Sequence, residues 1–295
     1  MIYTSAPPPP PPPPPPVPSG GKLWGLTYSP YNNDGSCPDL GTVTSQLKDV
    51  AKVAENIRLY STDCSQLSLA MQAISNSKLP LSIHAGIWVT AGDDRVNSDL
   101  DAFVAAAKQY DRSLIKGLSV GNEAITNGMS ESQLIGYIRT VRSRLQAEGL
   151  GGIPVYTTET DGRFSQALAD ASDLIQVNLQ AIFDKSFTSI GASAQSVIDR
   201  ARAVKANIAR GKSVQIGEVG WASAGSTGPC PLTLSNAKQF VQKLKCLAAN
   251  TDFNYFYFEA KDALWKKHPV LSEQSFGIFT SDFSPKFDFG VLDSC

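Results

Sequence analysis

Two glutamates stand in matching contexts. Glu123 follows the run Lys116-Gly117-Leu118-Ser119-Val120-Gly121-Asn122, and Glu218 follows Ser213-Val214-Gln215-Ile216-Gly217. Each closes a short apolar run that reads as a strand, with small residues beside it. Two carboxyls facing each other over a pocket are what cleavage of a glycosidic bond requires. One serves as nucleophile and the other as proton donor, at about 5–5.5 Å when configuration is retained. For either residue alone the competing reading is a surface glutamate at a helix N-terminus, favoured there by the dipole. Two in equivalent positions favour chemistry. For the pair to act, Glu218 must be ionised while Glu123 holds a proton, and burial and the charge of Glu218 both raise the pKa of Glu123.

The elements that must position this pair follow from the hydrophobic pattern. Short β-branched or aromatic runs, Leu23–Thr27, Asn56–Tyr60, Leu81–Ile87, Lys116–Gly121, Ile153–Thr158, Asp173–Leu179, Ser213–Gly217 and Asn254–Phe258, read as strands. Between them, apolar residues recur every three to four positions over Val43–Ala54, Ser65–Ser77, Asp99–Tyr110, Glu131–Glu148, Gln195–Ala209 and Leu234–Ala248, as amphipathic helices require. Ser130-Glu131-Ser132-Gln133 fits a capping box. Strands alternating with helices predict a parallel sheet, and eight units of this length match a single (β/α)8 barrel over residues 22–295. An open doubly wound sheet fits less well, because its Gly-rich phosphate loop is missing. Strands four and seven then lie roughly across the barrel from each other.

In such a barrel chemistry sits where strands end and loops begin. The polar residues there are Tyr28, Tyr31, Arg58, Tyr60, Asn122, Glu159, Asp161, Asn178, Gln180, Glu259, Asp262 and Lys266. Arg58 with Tyr60 is expected to orient the nucleophile, since a fixed guanidinium aims a carboxylate; a structural ion pair at the rim is the alternative. Asn122 is placed to hydrogen-bond a sugar 2-hydroxyl. Trp221, Trp265 and Tyr31 are candidate sugar platforms, with core packing as the alternative for each. Glu259 and Asp262 read as sugar-hydroxyl ligands or their supports, or as rim salt bridges to Lys261 or Lys266.

Composition excludes several other classes. With 26 basic against 27 acidic side chains the net charge is −1, so neither nucleic acid nor a membrane surface is an expected partner. His84 and His268 are the only histidines and the five cysteines show no ligand-like spacing, so no metal or cofactor is expected. Cys37 with Cys64 and Cys230 with Cys246 are the disulfides expected first, one thiol remaining. Residues 1–21 read as a disordered Pro-rich linker, because the prolines Pro7 to Pro16 form a polyproline II spacer. A tethered catalytic module explains such a spacer better than a ligand for a Pro-recognition domain. The first residues lack the pattern of a signal peptide, so the chain is expected to be cytosolic or to have had its targeting segment removed.

Val120-Gly121-Asn122-Glu123 and Gln215-Ile216-Gly217-Glu218-Val219-Gly220-Trp221 resemble the acid/base and nucleophile motifs of glycoside hydrolase family 17. The likeness continues through Gly25-Leu26-Thr27-Tyr28-Ser29-Pro30-Tyr31, Ile57-Arg58-Leu59-Tyr60 and Phe258-Glu259-Ala260-Lys261-Asp262-Ala263-Leu264-Trp265-Lys266. It is similar in particular to the short fungal cell-wall members. The resemblance implies a (β/α)8 fold, a retaining mechanism with Glu123 as acid/base and Glu218 as nucleophile, and no metal. It also implies β-1,3-glucan and laminari-oligosaccharides as partners of a monomeric, secreted or wall-associated enzyme, with glucanosyltransfer rivalling hydrolysis. A carbohydrate-binding barrel without activity is the rival from another class. Two departures affect substrate positioning: Ala222 stands where many members have Pro, and Asn178-Leu179-Gln180-Ala181-Ile182-Phe183 replaces an aromatic-rich His-Pro-Phe-Phe run.

Overall fold

The computed structural model describes residues 21–226 and 228–295. Eight parallel strands, β1 (Leu23–Thr27), β2 (Ala54–Arg58), β3 (Ser82–Ile87), β4 (Ile115–Asn122), β5 (Val155–Thr160), β6 (Ile175–Asn178), β7 (Val214–Val219) and β8 (Asn254–Tyr257), close into a barrel in sequence order. Helices α1 (Leu40–Val53), α2 (Gln66–Ser77), α3 (Asp93–Gln109), α4 (Glu131–Ala147), α5 (Gln166–Ala171), α6 (Ile190–Asn207) and α7 (Leu234–Ala248) lie between the strands. The expected (β/α)8 architecture is therefore the observed one. The expected linker at residues 1–21 falls almost wholly outside the described residues.

Local chemistry explains where the helices start. Asp39, Ser130, Ser165, Ser189 and Thr233 each accept a backbone N–H from the first turn of α1, α4, α5, α6 and α7. Helix α3 begins at Asp93, earlier than its apolar period suggests, because Asp93 and Asp94 place negative charge in its first turn. Helix α5 has six residues, too few to carry a periodic signal. Apolar residues from strands and helices fill one continuous core, in which His84 is also buried. Its Nδ1 lies 3.0 Å from the Tyr156 hydroxyl, and burial lowers its pKa to about 3.

Regular pairing breaks at the strand ends that carry the glutamates. The β4–β5 register shifts between Ser119 and Asn122, and the β7–β8 register between Ile216 and Val219. Such irregularities re-aim side chains at a barrel rim. Gly121 has φ +84°, and a Cβ there would stand 2.9 Å from Val89 Cγ2, so the β4 end turns where only glycine fits.

The cysteine expectation needs a correction. Cys37 pairs with Cys64, but Cys246 of α7 pairs with Cys295 at the C-terminus. Cys230 is the free thiol, buried in the loop after β7. The last segment packs back across α7 and brings Cys295 within 5.3 Å of Cys246, Cα to Cα, a closeness that no short-range spacing reveals.

Candidate active site

Glu218 sits in β7 at 7% exposure. Its Oε1 accepts from Arg58 Nη1 at 3.2 Å and from the Tyr60 hydroxyl at 2.8 Å. Among the described residues Oε2 meets only Gln180 Nε2, at 3.4 Å. Arg58, 1% exposed, also donates to the Gly217 carbonyl at 3.0 Å and to Asn122 Oδ1 at 2.8 Å, and its guanidinium lies over the Tyr60 ring. One planar side chain from β2 thus ties the β7 end to the β4 end. Two donors on one oxygen fix the orientation of the carboxylate and leave the other oxygen free to react.

Glu123 follows β4 in the left-handed region, with φ +51°. A non-glycine residue persists there only where its surroundings hold it. Its N–H donates to the Thr158 carbonyl at 2.8 Å, and its own carbonyl accepts from Asn127 Nδ2 at 2.8 Å. Glu159, fully buried, braces the same turn by accepting from the Ile125 N–H at 2.6 Å and the Thr126 hydroxyl at 3.1 Å. At the carboxyl, Asn178 Nδ2 donates to Glu123 Oε1 at 2.7 Å and to Asn122 Oδ1 at 3.1 Å. Burial, then the charge of Glu218, raises the pKa of Glu123 against the bond from Asn178. Arg58 and Asn178 both donate to Asn122 Oδ1, which assigns the other amide atom of this cleft-lining residue as the nitrogen donor.

The cleft encloses about 390 Å³ and is lined by Asn122, Glu218, Tyr60, Glu259, Phe258 and Lys266, and further by Tyr31, Trp265, Trp88, Ser29, Ser61, Asp63 and Arg95. Tyr31 and Trp265 pack against each other at a tilt of 51°, with ring centroids 4.7 Å apart. Lys266 Nζ donates to Glu259 Oε1 at 2.9 Å, the rim-type bridge that was one of the two expectations for Glu259. Burial lifts the Glu259 pKa to about 7, with Lys266 opposing.

Four expected ligands lie elsewhere. Tyr28 is fully buried and donates to Gln46 of α1 at 2.7 Å, its ring pointing out of the barrel. Trp221, 2% exposed, packs on Phe240 of α7 and donates to the Pro231 carbonyl at 3.4 Å, so its core reading is the observed placement. Asp161 makes a two-pronged ion pair with Arg200 of α6, at 2.7 and 2.6 Å. Asp262 accepts from Lys286 at 2.6 Å and from the Gly277 N–H at 3.1 Å, bracing the C-terminal segment in place of the expected bridge to Lys261 or Lys266. Trp88, Asp63 and Arg95 were not anticipated. Trp88 is one residue past β3, where a search of strand ends that included indoles would have found it; Asp63 and Arg95 carry no local signal.

A closed parallel barrel with two carboxyls at the C-terminal ends of β4 and β7, one aimed by a guanidinium and the other held toward its protonated form, defines a glycosidase-type site. The family model of the BtgE/BtgC glycoside hydrolase domain matches residues 25–277, and the chain belongs to that family, within glycoside hydrolase family 17. It is 31% identical over 269 residues to the probable family 17 glucosidase SCW10 of Saccharomyces cerevisiae, covering 90% of this chain and 66% of that protein. It is 30% identical over 271 residues to the cell surface mannoprotein MP65 of Candida albicans, covering 90% of this chain and 68% of that protein. Against the probable β-glucosidase btgE of Aspergillus flavus the chain spans 41% of the relative's length, at 31% identity over 85% of its own. The fold is that of a Rhizomucor miehei β-1,3-glucanosyltransferase of family 17, with a TM-score of 0.79 and 22% identity over 92% of this chain and 98% of that one. Among the described residues no helix is long and apolar enough to cross a membrane.

Proposed function

We propose that the chain cleaves β-1,3-glucan with retention of configuration and transfers the glycosyl unit to another glucan chain, acting outside the cell at the wall. The observation that carries this reading is the opposite treatment of the two carboxyls: Glu218 Oε1 is occupied by Arg58 and Tyr60, whereas burial and the charge of Glu218 favour a proton on Glu123. In the first step Glu218 Oε2 attacks the anomeric carbon as the glycosidic bond breaks, and the leaving oxygen takes its proton from Glu123. The glycosyl-enzyme neutralises Glu218, so Glu123, now ionised, accepts the proton of the incoming hydroxyl. That hydroxyl attacks the anomeric carbon and frees Glu218. The Asn122 amide donates to the sugar 2-hydroxyl, and Tyr31 and Trp265 offer aromatic faces to glucosyl units.

Transfer requires an acceptor sugar in place before water arrives. Trp221 is in the core and cannot supply that occupancy. Phe183, 53% exposed in the turn that follows Gln180, is an exposed aromatic residue beyond the end of β6. The names of the relatives, a mannoprotein of the cell surface and glucosidases among them, support the extracellular placement. Incubation with a laminari-oligosaccharide of defined length, followed by product sizing, tests the reading. Products longer than the starting sugar support it. Shorter sugars alone at every concentration replace it with an endo-β-1,3-glucanase, and unchanged sugar points to a binding barrel.

A further inference from the structure

The cleft continues past Glu218 along a wall built by the loop after β2 and the start of α3. Asp63 and Arg95 form an ion pair there at 3.1 Å, yet keep 32% and 30% of their side-chain surface open. Each is clamped from behind. Asp63 accepts from the Tyr31 hydroxyl at 2.8 Å and from Ser61 Oγ at 2.9 Å, while Arg95 donates to Asp99 at 3.0 Å. Asp99, 2% exposed, also accepts the Trp88 backbone N–H at 2.8 Å, so one buried carboxylate fixes the guanidinium and the stretch of backbone that carries the indole. Beside Asp63 the Cys37–Cys64 disulfide joins the loops after β1 and β2, and Cys64 and Ser65 both have positive φ, 50° and 55°. Backbone strain held by a covalent tie fixes the turn that presents Asp63.

A rigid carboxylate and guanidinium beside an indole, in a concave wall, match a neutral ligand rich in hydroxyls. Arg95 is shared between Asp63 and Asp99, so its charge is already met and no anionic ligand is required, and the pair offers acceptors and forked donors at fixed positions. In a β-1,3-linked chain every unit keeps its 4- and 6-hydroxyls, adjacent groups that can each donate to Asp63 or accept from Arg95. The direction of the chain follows from Glu123. It protonates the leaving oxygen and so marks the leaving-group side; its carboxyl is held by Asn178 of β6, whereas the wall of this cleft is built by residues that follow β8, β1, β2 and β3.

We infer that Asp63, Arg95 and Trp88 form a second sugar subsite that grips a glucosyl unit on the glycone side of the one held at Glu218. This rests on the glycosidase reading above. Asp63 and Arg95 take the hydroxyls and Trp88 packs on the pyranose face.

The test compares wild type, Asp63→Asn and Trp88→Ala on aryl β-glycosides whose glycone has one, two or three β-1,3-linked glucosyl units. Calorimetric titration of laminaritriose into Glu218→Gln and into Glu218→Gln with Asp63→Asn accompanies it. Loss of a hydrogen bond to a charged group corresponds to roughly a tenfold to hundredfold loss of affinity. The subsite predicts a loss of that size in kcat/KM on the longer glycones, carried by KM, with little change on the single unit, and the same weakening in the titration. Equal losses on every length, or none, overturn the subsite while leaving the glycosidase reading in place. A wild-type protein inert toward all three lengths overturns that reading itself.

Discussion

Replacing Arg58 with methionine removes the guanidinium that reaches Glu218, Asn122 and the Gly217 carbonyl, and keeps most of the apolar volume. Glu218, 7% exposed, is then left with Tyr60 at 2.8 Å and Gln180 at 3.4 Å and no cation. Breaking a buried pair on one side costs about 3–5 kcal/mol. For a domain of this size that lowers the Tm by roughly 10 °C. The cost lies chiefly in the stranded charge, so removing the charge should recover part of it. Glu218→Gln alone leaves Arg58 bonded to Asn122 and Gly217, and the double variant holds neither charge. Urea unfolding of the four proteins should show the double variant destabilised by about 1–3 kcal/mol less than the sum of the single changes. Additivity to within about 0.5 kcal/mol would refute the argument that Arg58 acts on Glu218 through charge.

Other outcomes follow from the same geometry. Glu123→Gln should lower turnover of glucan by about 10²–10⁴-fold, whereas an aryl glycoside with a good leaving group should still release its aryl group in a burst; an unchanged steady-state rate on glucan would contradict the role. Activity should fall as pH rises through the raised pKa of Glu123, because its ionised form has no proton to donate, and a profile flat across the neutral range would count against this. Glu259 is lifted from 4.5 to about 7, chiefly by burial, so the folded state binds its proton more tightly than the unfolded chain does. Its contribution to stability is complete below pH 4.5 and is lost as pH rises through about 7, so the Tm of wild type should fall across that window more than that of Glu259→Gln. Thiol titration without reductant should find no reactive group in the native protein and one, Cys230, in denaturant; two or more thiols would contradict the Cys246–Cys295 pairing.

The barrel was legible because each strand is a short apolar run and each helix but α5 is long enough to show its period. The two glutamates were legible because both end such runs. Which way a neighbouring side chain turns was harder to read. Tyr28 and Tyr31 are three residues apart, yet Tyr28 faces α1 while Tyr31 reaches the cleft. Trp221 follows β7 closely, but the chain turns there toward α7 and takes the indole into the core. Partners distant in sequence decide the remaining cases. Asp161 meets Arg200 and Asp262 meets Lys286, and each pairing converts an apparent ligand into a brace. Asp63 and Arg95 are the converse, an ion pair between the loop after β2 and helix α3 that the fold turns toward the cleft.

The central claim is that Glu218 forms a covalent bond to the glycosyl unit of a β-1,3-glucan. A 2-deoxy-2-fluoro laminaribiosyl fluoride slows the breakdown of that intermediate, so intact-protein and peptide mass spectrometry can locate the label. The account predicts one label per chain, on Glu218, its loss on addition of laminaribiose, and no label in Glu218→Gln. A label on Glu123 or Glu259, or unlabelled protein that still turns over laminari-oligosaccharides, would contradict it.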